Sequence, residues 1–317
     1  MAFMFRPATR ENVGLLIGLS GASGSGKTYT AMRLARGIAA DRPFAVIDTE
    51  AGRAKHYADQ FRFDHGDLTP PFTPERYADA IAAADKAKYA AIVVDSMSHE
   101  WAGEGGILDW EEAELDRMAG DDWKKREACR MASWIKPKMA HKQMVQRLLQ
   151  VRAHLILCFR AEPKIEMVRG ENGKMEIREK QSLTGLHGWI PVCEKSLPYE
   201  LTASFLLMPD RPGVPQPIKL QQQHRALFPL DQPITEASGA ELAAWAKGAA
   251  PHPDTPAASP VIDWLGKIAT AATMDDLAAV ATGLKAASAT LNGTTLKVIR
   301  AAYAARQKHL RSQAVAP

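Results

Sequence analysis

Cysteine is scarce in this chain of 317 residues: only Cys129, Cys158 and Cys193 occur. They are far apart and none stands in a C-x-x-C pair, which argues against a disulfide framework and against a thiolate zinc site. Cys158 lies within an apolar run and reads as a core residue. Such usage suits a reducing compartment, so the cytoplasm is expected. The nine histidines are scattered. Ser96 and Ser98 beside His99 read as loop polar groups rather than a nucleophilic set. No apolar run approaches the roughly 20 residues needed to span a bilayer. The start, MAFMFRPATREN, is too short and too polar for a secretory leader, so no membrane association is expected. Charge of one sign is also lacking: the net charge is +4 and the pI about 8.9, which permits a nucleic-acid partner without requiring one. What remains is an ordinary globular composition, 46% hydrophobic and 24% charged, with length enough for one large α/β core and a smaller second unit.

The apolar pattern alternates strand and helix. Residues 13–19 (VGLLIGL) read as a strand, residues 27–40 as a helix with Ala31, Leu34, Ala35 and Ile38 on one face, and residues 44–47 as a second strand ending in Asp48-Thr49-Glu50. Helical spacing recurs around Tyr57 and over residues 74–87, and residues 90–94 make a third strand closed by Asp95-Ser96. This order predicts a mostly parallel sheet covered by helices. Residues 100–150 are charged and helical in pattern, with Trp101, Trp110, Trp123 and Trp134 expected to anchor helices on the core. Residues 155–159 form a fourth strand. Residues 160–180 carry both charge signs around Gly170, Asn172 and Gly173, the pattern of an exposed hairpin or mobile loop. Residues 201–208 and 218–220 are expected to extend the sheet as antiparallel strands. The organisation expected is a core over residues 1–247, a proline- and alanine-rich linker over 248–260 and a small helical unit of three helices over 261–317.

The chemistry concentrates after the first strand. Gly21-Ala22-Ser23-Gly24-Ser25-Gly26-Lys27-Thr28 matches G-x-x-x-x-G-K-[ST] in full. Glycines let successive backbone N–H groups turn inward around phosphates, and the following helix directs its positive end at the same anion. Lys27 is placed to reach the β- and γ-phosphates of ATP, and the Thr28 hydroxyl to bind Mg²⁺. Asp95, closing AIVVD, is a carboxylate at a strand end that can hold Mg²⁺ through water. Glu50 stands just past the second strand, where strand ends converge on a ligand crevice, so it can orient and polarise the attacking water. A helix-capping or surface role is the plainer alternative for Glu50. Asp48, two residues away, is the weaker candidate for the base.

GASGSGKT, AVIDTE and IVVDS, in that order, resemble the RecA/Rad51-like ATPase core, over roughly residues 5–248. The resemblance implies a RecA-like α/β fold with ATP and Mg²⁺ as cofactors, Glu50 as the catalytic glutamate and Asp95 as the Walker B aspartate. The layout is most similar to phage-encoded ATPases of the AAA family, among them Sak4-type single-strand annealing proteins. That likeness implies a DNA-recombination role in a bacterial host's cytoplasm, with single-stranded DNA as partner and side-by-side homo-oligomers in a ring or filament. It also implies a DNA-contacting loop after the fourth strand, which here supplies Arg160, Lys164, Arg169, Lys174, Arg178 and Lys180. Five glutamates nearly balance these and no aromatic lies among them, so a solvated loop is the competing reading. Lys195, with Arg160 as the runner-up, is similar in position to the basic residue that reaches a neighbouring subunit's ATP. The alanine-rich tail resembles helical modules on phage recombination proteins, which implies a replication or single-strand-binding protein as its partner. Two other functions stay open at this point: a P-loop kinase of a nucleotide or small molecule, and a nucleotide-gated adaptor or loader.

Overall fold

The computed structural model describes residues 13–170, 174–179, 188–248, 260–287 and 293–314. They fall into two compact units, one ending at Gly248 and one beyond it.

The first unit is organised by β1 (Leu16–Gly21), β2 (Phe44–Asp48) and β4 (Ala91–Asp95), whose residues are all buried. Such unbroken apolar runs are what strands covered on both faces require. β3 (Phe63–Asp67), β5 (His154–Pro163), β8 (Trp189–Pro191), β9 (Ala203–Met208) and β10 (Arg211–Leu220) complete the sheet. Its order is β10-β9-β1-β5-β4-β2-β3, with β8 paired to the far end of β5. All pairings are parallel except those of β10 and β8. This is the mostly parallel α/β architecture that the alternating pattern predicts.

Two apolar layers cover the sheet. On one side α1 (Lys27–Ala39) and α8 (Glu236–Lys247) pack over Ile17, Leu19, Val93 and Ile156. A Cβ on Gly37 would lie 2.0 Å from the Glu236 carbonyl oxygen, and one on Gly239 would lie 2.2 Å from that of Leu34. The two helices therefore cross at backbone contact. On the other side α2 (Pro74–Lys86), capped by Thr73, and α6 (Ile135–Leu148) pack over Ile92, Val94, Leu155 and Leu157. α3 (Ser98–Ala102), α4 (Ile107–Ala119) and α5 (Trp123–Ser133) fill the connection between β4 and β5.

Four details differ from the sequence expectations. β3 has no apolar alternation to announce it (FDHGD); it is a largely exposed edge strand held by its pairing with β2. The segment around Tyr57 is a 3₁₀ turn, Arg53–Tyr57. β9 is parallel to β1, not antiparallel: β8 runs back along β5, α7 (Leu197–Glu200) follows, and Thr202 N–H meets the Leu16 carbonyl at 2.8 Å, so β9 starts beside the start of β1. Trp101 and Trp134 stack at 5.9 Å, as anchors should, but Trp123 is 72% exposed.

β6 (Ile165–Arg169) and β7 (Met175–Glu179) form a two-stranded hairpin after β5, the first of the two forms read for that segment. Most of the expected linker, residues 249–259, lies outside the described residues. The second unit contains α9 (Pro260–Thr270), α10 (Met274–Ala287) and α11 (Gly293–Ala314), joined through Ile268, Leu277, Leu284, Ile299 and Leu310. Among the described residues no helix is long and apolar enough to cross a membrane.

Candidate nucleotide site

The loop between β1 and α1 is shaped by its glycines. A side chain on Gly21 would lie 2.4 Å from both Ser25 Oγ and the Leu207 carbonyl oxygen. Gly24 and Gly26 hold φ of 78° and 82°, left-handed values that favour glycine. Ser25 N–H and Oγ both donate to the Ala22 carbonyl, at 3.3 and 2.8 Å, and Lys27 Nζ donates to the same oxygen at 2.8 Å. From outside, Gly213 N–H near the start of β10 donates to the Ser25 carbonyl at 3.1 Å, so the antiparallel edge strand buttresses the loop.

Thr28 and Asp95 meet across the cleft: Thr28 Oγ1 donates to Asp95 Oδ2 at 2.6 Å. Burial raises the Asp95 carboxyl to about 6, reinforced by the negative charges of Glu50 and Asp48 and opposed by the Thr28 hydrogen bond and by Lys27. Lys27 is lowered, chiefly by burial and further by Arg160, against the opposing pull of Cys158, Asp95 and Glu50. A hydroxyl and one carboxylate, with no cluster of three or more acidic, histidine or cysteine ligands among the described residues, fit Mg²⁺. That ion commonly keeps several waters and takes phosphate oxygens as its other ligands.

Glu50 faces this pair from the end of β2. Arg160 Nη2 donates to its Oε1 at 2.7 Å and Arg53 Nη1 to its Oε2 at 3.0 Å. Burial opposes its ionisation, but Arg160, Arg53 and His99 outweigh burial and hold the carboxyl below its ordinary value. Asp48 is occupied as a brace. Its Oδ1 accepts the Glu50 N–H at 2.6 Å, and its Oδ2 accepts the Ala54 N–H at 2.9 Å and lies 3.2 Å from His65 Nε2. Behind the carboxylates, Thr49 Oγ1 accepts the Ser96 N–H at 2.7 Å and sits 2.8 Å from His99 Nδ1, while Tyr77 donates to the Ser96 carbonyl at 2.9 Å. Ser98 Oγ accepts the Arg160 N–H at 2.9 Å. Ser96, Ser98 and His99 thus tie the ends of β2, β4 and β5 together.

One cleft of about 730 Å³ is lined by Gly21 to Gly24, Gly26 to Thr28, Glu50, Asp95 and Arg160, with Asp48, Thr49, Tyr77, Ser98 and His99 behind its wall. Ser25 is buried beneath the loop. Arg160, grouped by the resemblance with DNA contacts, therefore stands in this chain's own cleft. Lys164, Arg169 and Lys174 are exposed on the β6–β7 hairpin, the side chain of Arg178 and all of Lys180 lie outside the described residues, and Lys195 is exposed and away from the cleft lining. Sequence reasoning missed the mouth, lined by Tyr29, Arg53, His56 and Tyr57. The Tyr29 ring lies 5.9 Å from that of Tyr57 and 5.5 Å from that of Phe61. The available signal was position: Tyr29 directly follows Thr28, and Tyr57 lies one short turn past Glu50.

A family described as an AAA domain matches residues 14–189. No curated protein matches the chain. Among solved structures, the KaiC-like protein PH0186 from the hyperthermophilic archaeon Pyrococcus horikoshii OT3 is similar at 14% identity, with 56% of this chain and 84% of that chain covered and a TM-score of 0.27.

Proposed function

The chain belongs to the AAA domain family, and from that premise we propose that it is an ATP-hydrolysing DNA-recombination protein. In this reading it works on single-stranded DNA as a homo-oligomer and promotes annealing or strand exchange. The observation that carries the hydrolytic part is the position of Glu50, an ionised carboxylate opposite Lys27, Thr28 and Asp95 in one cleft.

ATP with Mg²⁺ supplies an activated phosphoryl group whose charge the metal helps to neutralise. The loop N–H groups and Lys27 would bind the phosphates, Thr28 and Asp95 would hold the metal, and Tyr29 and Tyr57 would offer flat faces to the base. Glu50 orients water and accepts its proton. Arg160 and Arg53 keep that carboxylate ionised, and Arg160 is close enough to offer positive charge to the transferring phosphoryl oxygens. A water-polarising carboxylate favours hydrolysis over transfer to an acceptor, which weighs against the kinase alternative. Lys195 is assigned to the neighbouring subunit's site, and the unit of α9 to α11 to a replication or single-strand-binding partner. The latter is supported by a groove lined by Leu284, Leu296 and Tyr303 with Lys285 and Arg300 at its rim.

The test is ATP turnover by the purified chain with and without single-stranded DNA. Stimulation that weakens with salt supports the reading. Turnover that ignores DNA removes its recombination half, and phosphate transfer to an acceptor without hydrolysis removes both halves.

A further inference from the structure

Between β4 and β5 the chain presents a surface that the nucleotide site does not use. α5 is held to α4 by polar contacts: Arg126 is paired with Glu112 and Asp116, and Ser133 Oγ bonds to Glu111. Its own buried residues amount to Ser133 alone. Large apolar side chains point outward instead, with Trp123 72%, Met131 84%, Ile135 60% and Met139 57% exposed. Trp134, at the α5–α6 junction, keeps right-handed helical angles, so residues four apart stay on one face across it. Met131, Ile135 and Met139 therefore make a stripe, with Lys124, Lys138 and Lys142 on the same side. At 1.5 Å per residue it runs about 27 Å from Lys124 to Lys142.

Its charge is one-sided. Between Asp121 and Lys142 the chain carries seven lysines and arginines against three carboxylates. Two of the three carboxylates are engaged locally: Asp122 caps α5 through the N–H groups of Lys124 and Lys125, and Glu127 pairs with Arg130. Arg126 and Lys136 are paired with carboxylates of α4. Among the described residues no ion pair is made by Lys124, Lys125 or Lys142. Lys124 Nζ lies 5.7 Å from the centre of the Trp123 ring and Lys138 Nζ 5.6 Å from that of Trp134, so cations and aromatic faces are interleaved. The β6–β7 hairpin, by contrast, carries both charge signs.

We propose that the α5–α6 stripe is a binding site for single-stranded nucleic acid. The phosphates lie along the lysines and the base faces on Trp123 and the Met131–Ile135–Met139 row. Cations tracking a backbone beside flat apolar platforms are how sequence-tolerant single-strand binding is built, and methionine sulfur makes favourable contacts with aromatic rings. The helix that carries the stripe also touches an element beside the ATP cleft. On the buried side of α6, His141 Nδ1 lies 2.9 Å from Glu100 Oε1 of α3, and α3 begins at Ser98, whose hydroxyl holds the Arg160 N–H. The proposal rests on the DNA-directed reading above.

Anisotropy of a labelled oligothymidine with the full-length chain tests it, at about 50 and 200 mM salt. Lys138→Glu with Lys142→Glu should weaken binding at least tenfold and reduce the slope of log K against log salt by about 2. Trp123→Ala should weaken binding about tenfold at both salts. Lys164→Glu with Lys174→Glu on the hairpin should change it less than threefold. Unchanged thermal melting and nucleotide affinity show that the variants are folded. If the hairpin pair abolishes binding while the α5–α6 variants bind like the unaltered chain, the site assignment is wrong and the DNA-directed reading survives. If the unaltered chain binds no oligothymidine at either salt, both fall, and a Met131→Glu variant that instead loses self-association would mark the stripe as a protein interface.

Discussion

The strand-end cleft and the α5–α6 flank treat polar and apolar groups in opposite ways. In the cleft, Asp48, Thr49, Glu50, Asp95 and Ser96 each have at least one hydrogen-bond partner, and the apolar residues are sealed in the sheet below. On the flank, apolar side chains and lysines that make no ion pair among the described residues stand in solvent, while the helix is fastened by ion pairs. The cleft is preorganised: Asp48 and Thr49 fix the turns that carry Glu50 and Asp95 before any ligand arrives, which is how charge stabilisation avoids reorganisation cost. Among the described residues nothing covers the apolar row of the flank. Chemistry is thus assigned to the cleft and recognition to the flank.

The sharpest way to break that division is at the cleft. Lys27→Ala should abolish nucleotide binding, measured by calorimetry, whereas Glu50→Gln should preserve it and lower turnover by about 100-fold or more, as expected when a general base is lost. Equal loss of binding in both variants would make Glu50 a structural residue.

Arg160 bears on the same division, because among the described residues it is the one cation proposed for DNA contact that the fold places on Glu50, the proposed base. With Arg160→Gln the Glu50 carboxyl loses the partner that lowers it, so its pKa rises. Activity needs the ionised form, and the acid limb of the pH–rate profile should therefore move to higher pH. A limb that stays in place shows that Arg160 does not set the charge state of Glu50.

Below these effects lie two tests of the scaffold. Gly37→Ala drives a Cβ into the backbone of α8 and should cost about 1–3 kcal/mol, read by denaturant melting. Trp123→Ala should change stability by no more than about 0.5 kcal/mol, since the side chain is largely in solvent. A large loss from Trp123→Ala would show that the flank is a packed surface.

Comparable in size with the Gly37→Ala effect is a pH effect at the start of β5. His154 is lowered to about 4 by burial, and its Nδ1 lies 3.4 Å from the Leu15 N–H. In the unfolded chain it titrates near 6.5, so as pH falls from about 6.5 towards 4 the unfolded state gains a proton that the folded state refuses. Stability should drop over that window by up to about 3 kcal/mol, and His154→Gln should flatten this part of the melting profile.

Those two regions also differ in how far they could be read from sequence. The P-loop was legible because its glycines and Lys27-Thr28 have fixed spacing, and Glu50 and Asp95 because parallel strands must end together at a crevice. The fully buried strands were legible as apolar runs, while β3 was not, because an edge strand needs no apolar face. The direction of β9 depends on where β8 and α7 return the chain, which no local pattern records. Arg160 was read as part of a charged loop because its role lies across the sheet at Glu50, 110 residues away in sequence. Trp123 was read as an anchor because burial is the usual fate of tryptophan; helical periodicity locates a face without saying what covers it.

In the proposed function Glu50 makes this cleft hydrolytic and single-stranded DNA drives its turnover. One assay reaches both parts: ATP turnover of the unaltered chain and of Glu50→Gln, each with and without single-stranded DNA. Turnover should rise with DNA in the unaltered chain and stay near background with or without DNA in Glu50→Gln. DNA-stimulated turnover that persists in Glu50→Gln would contradict it.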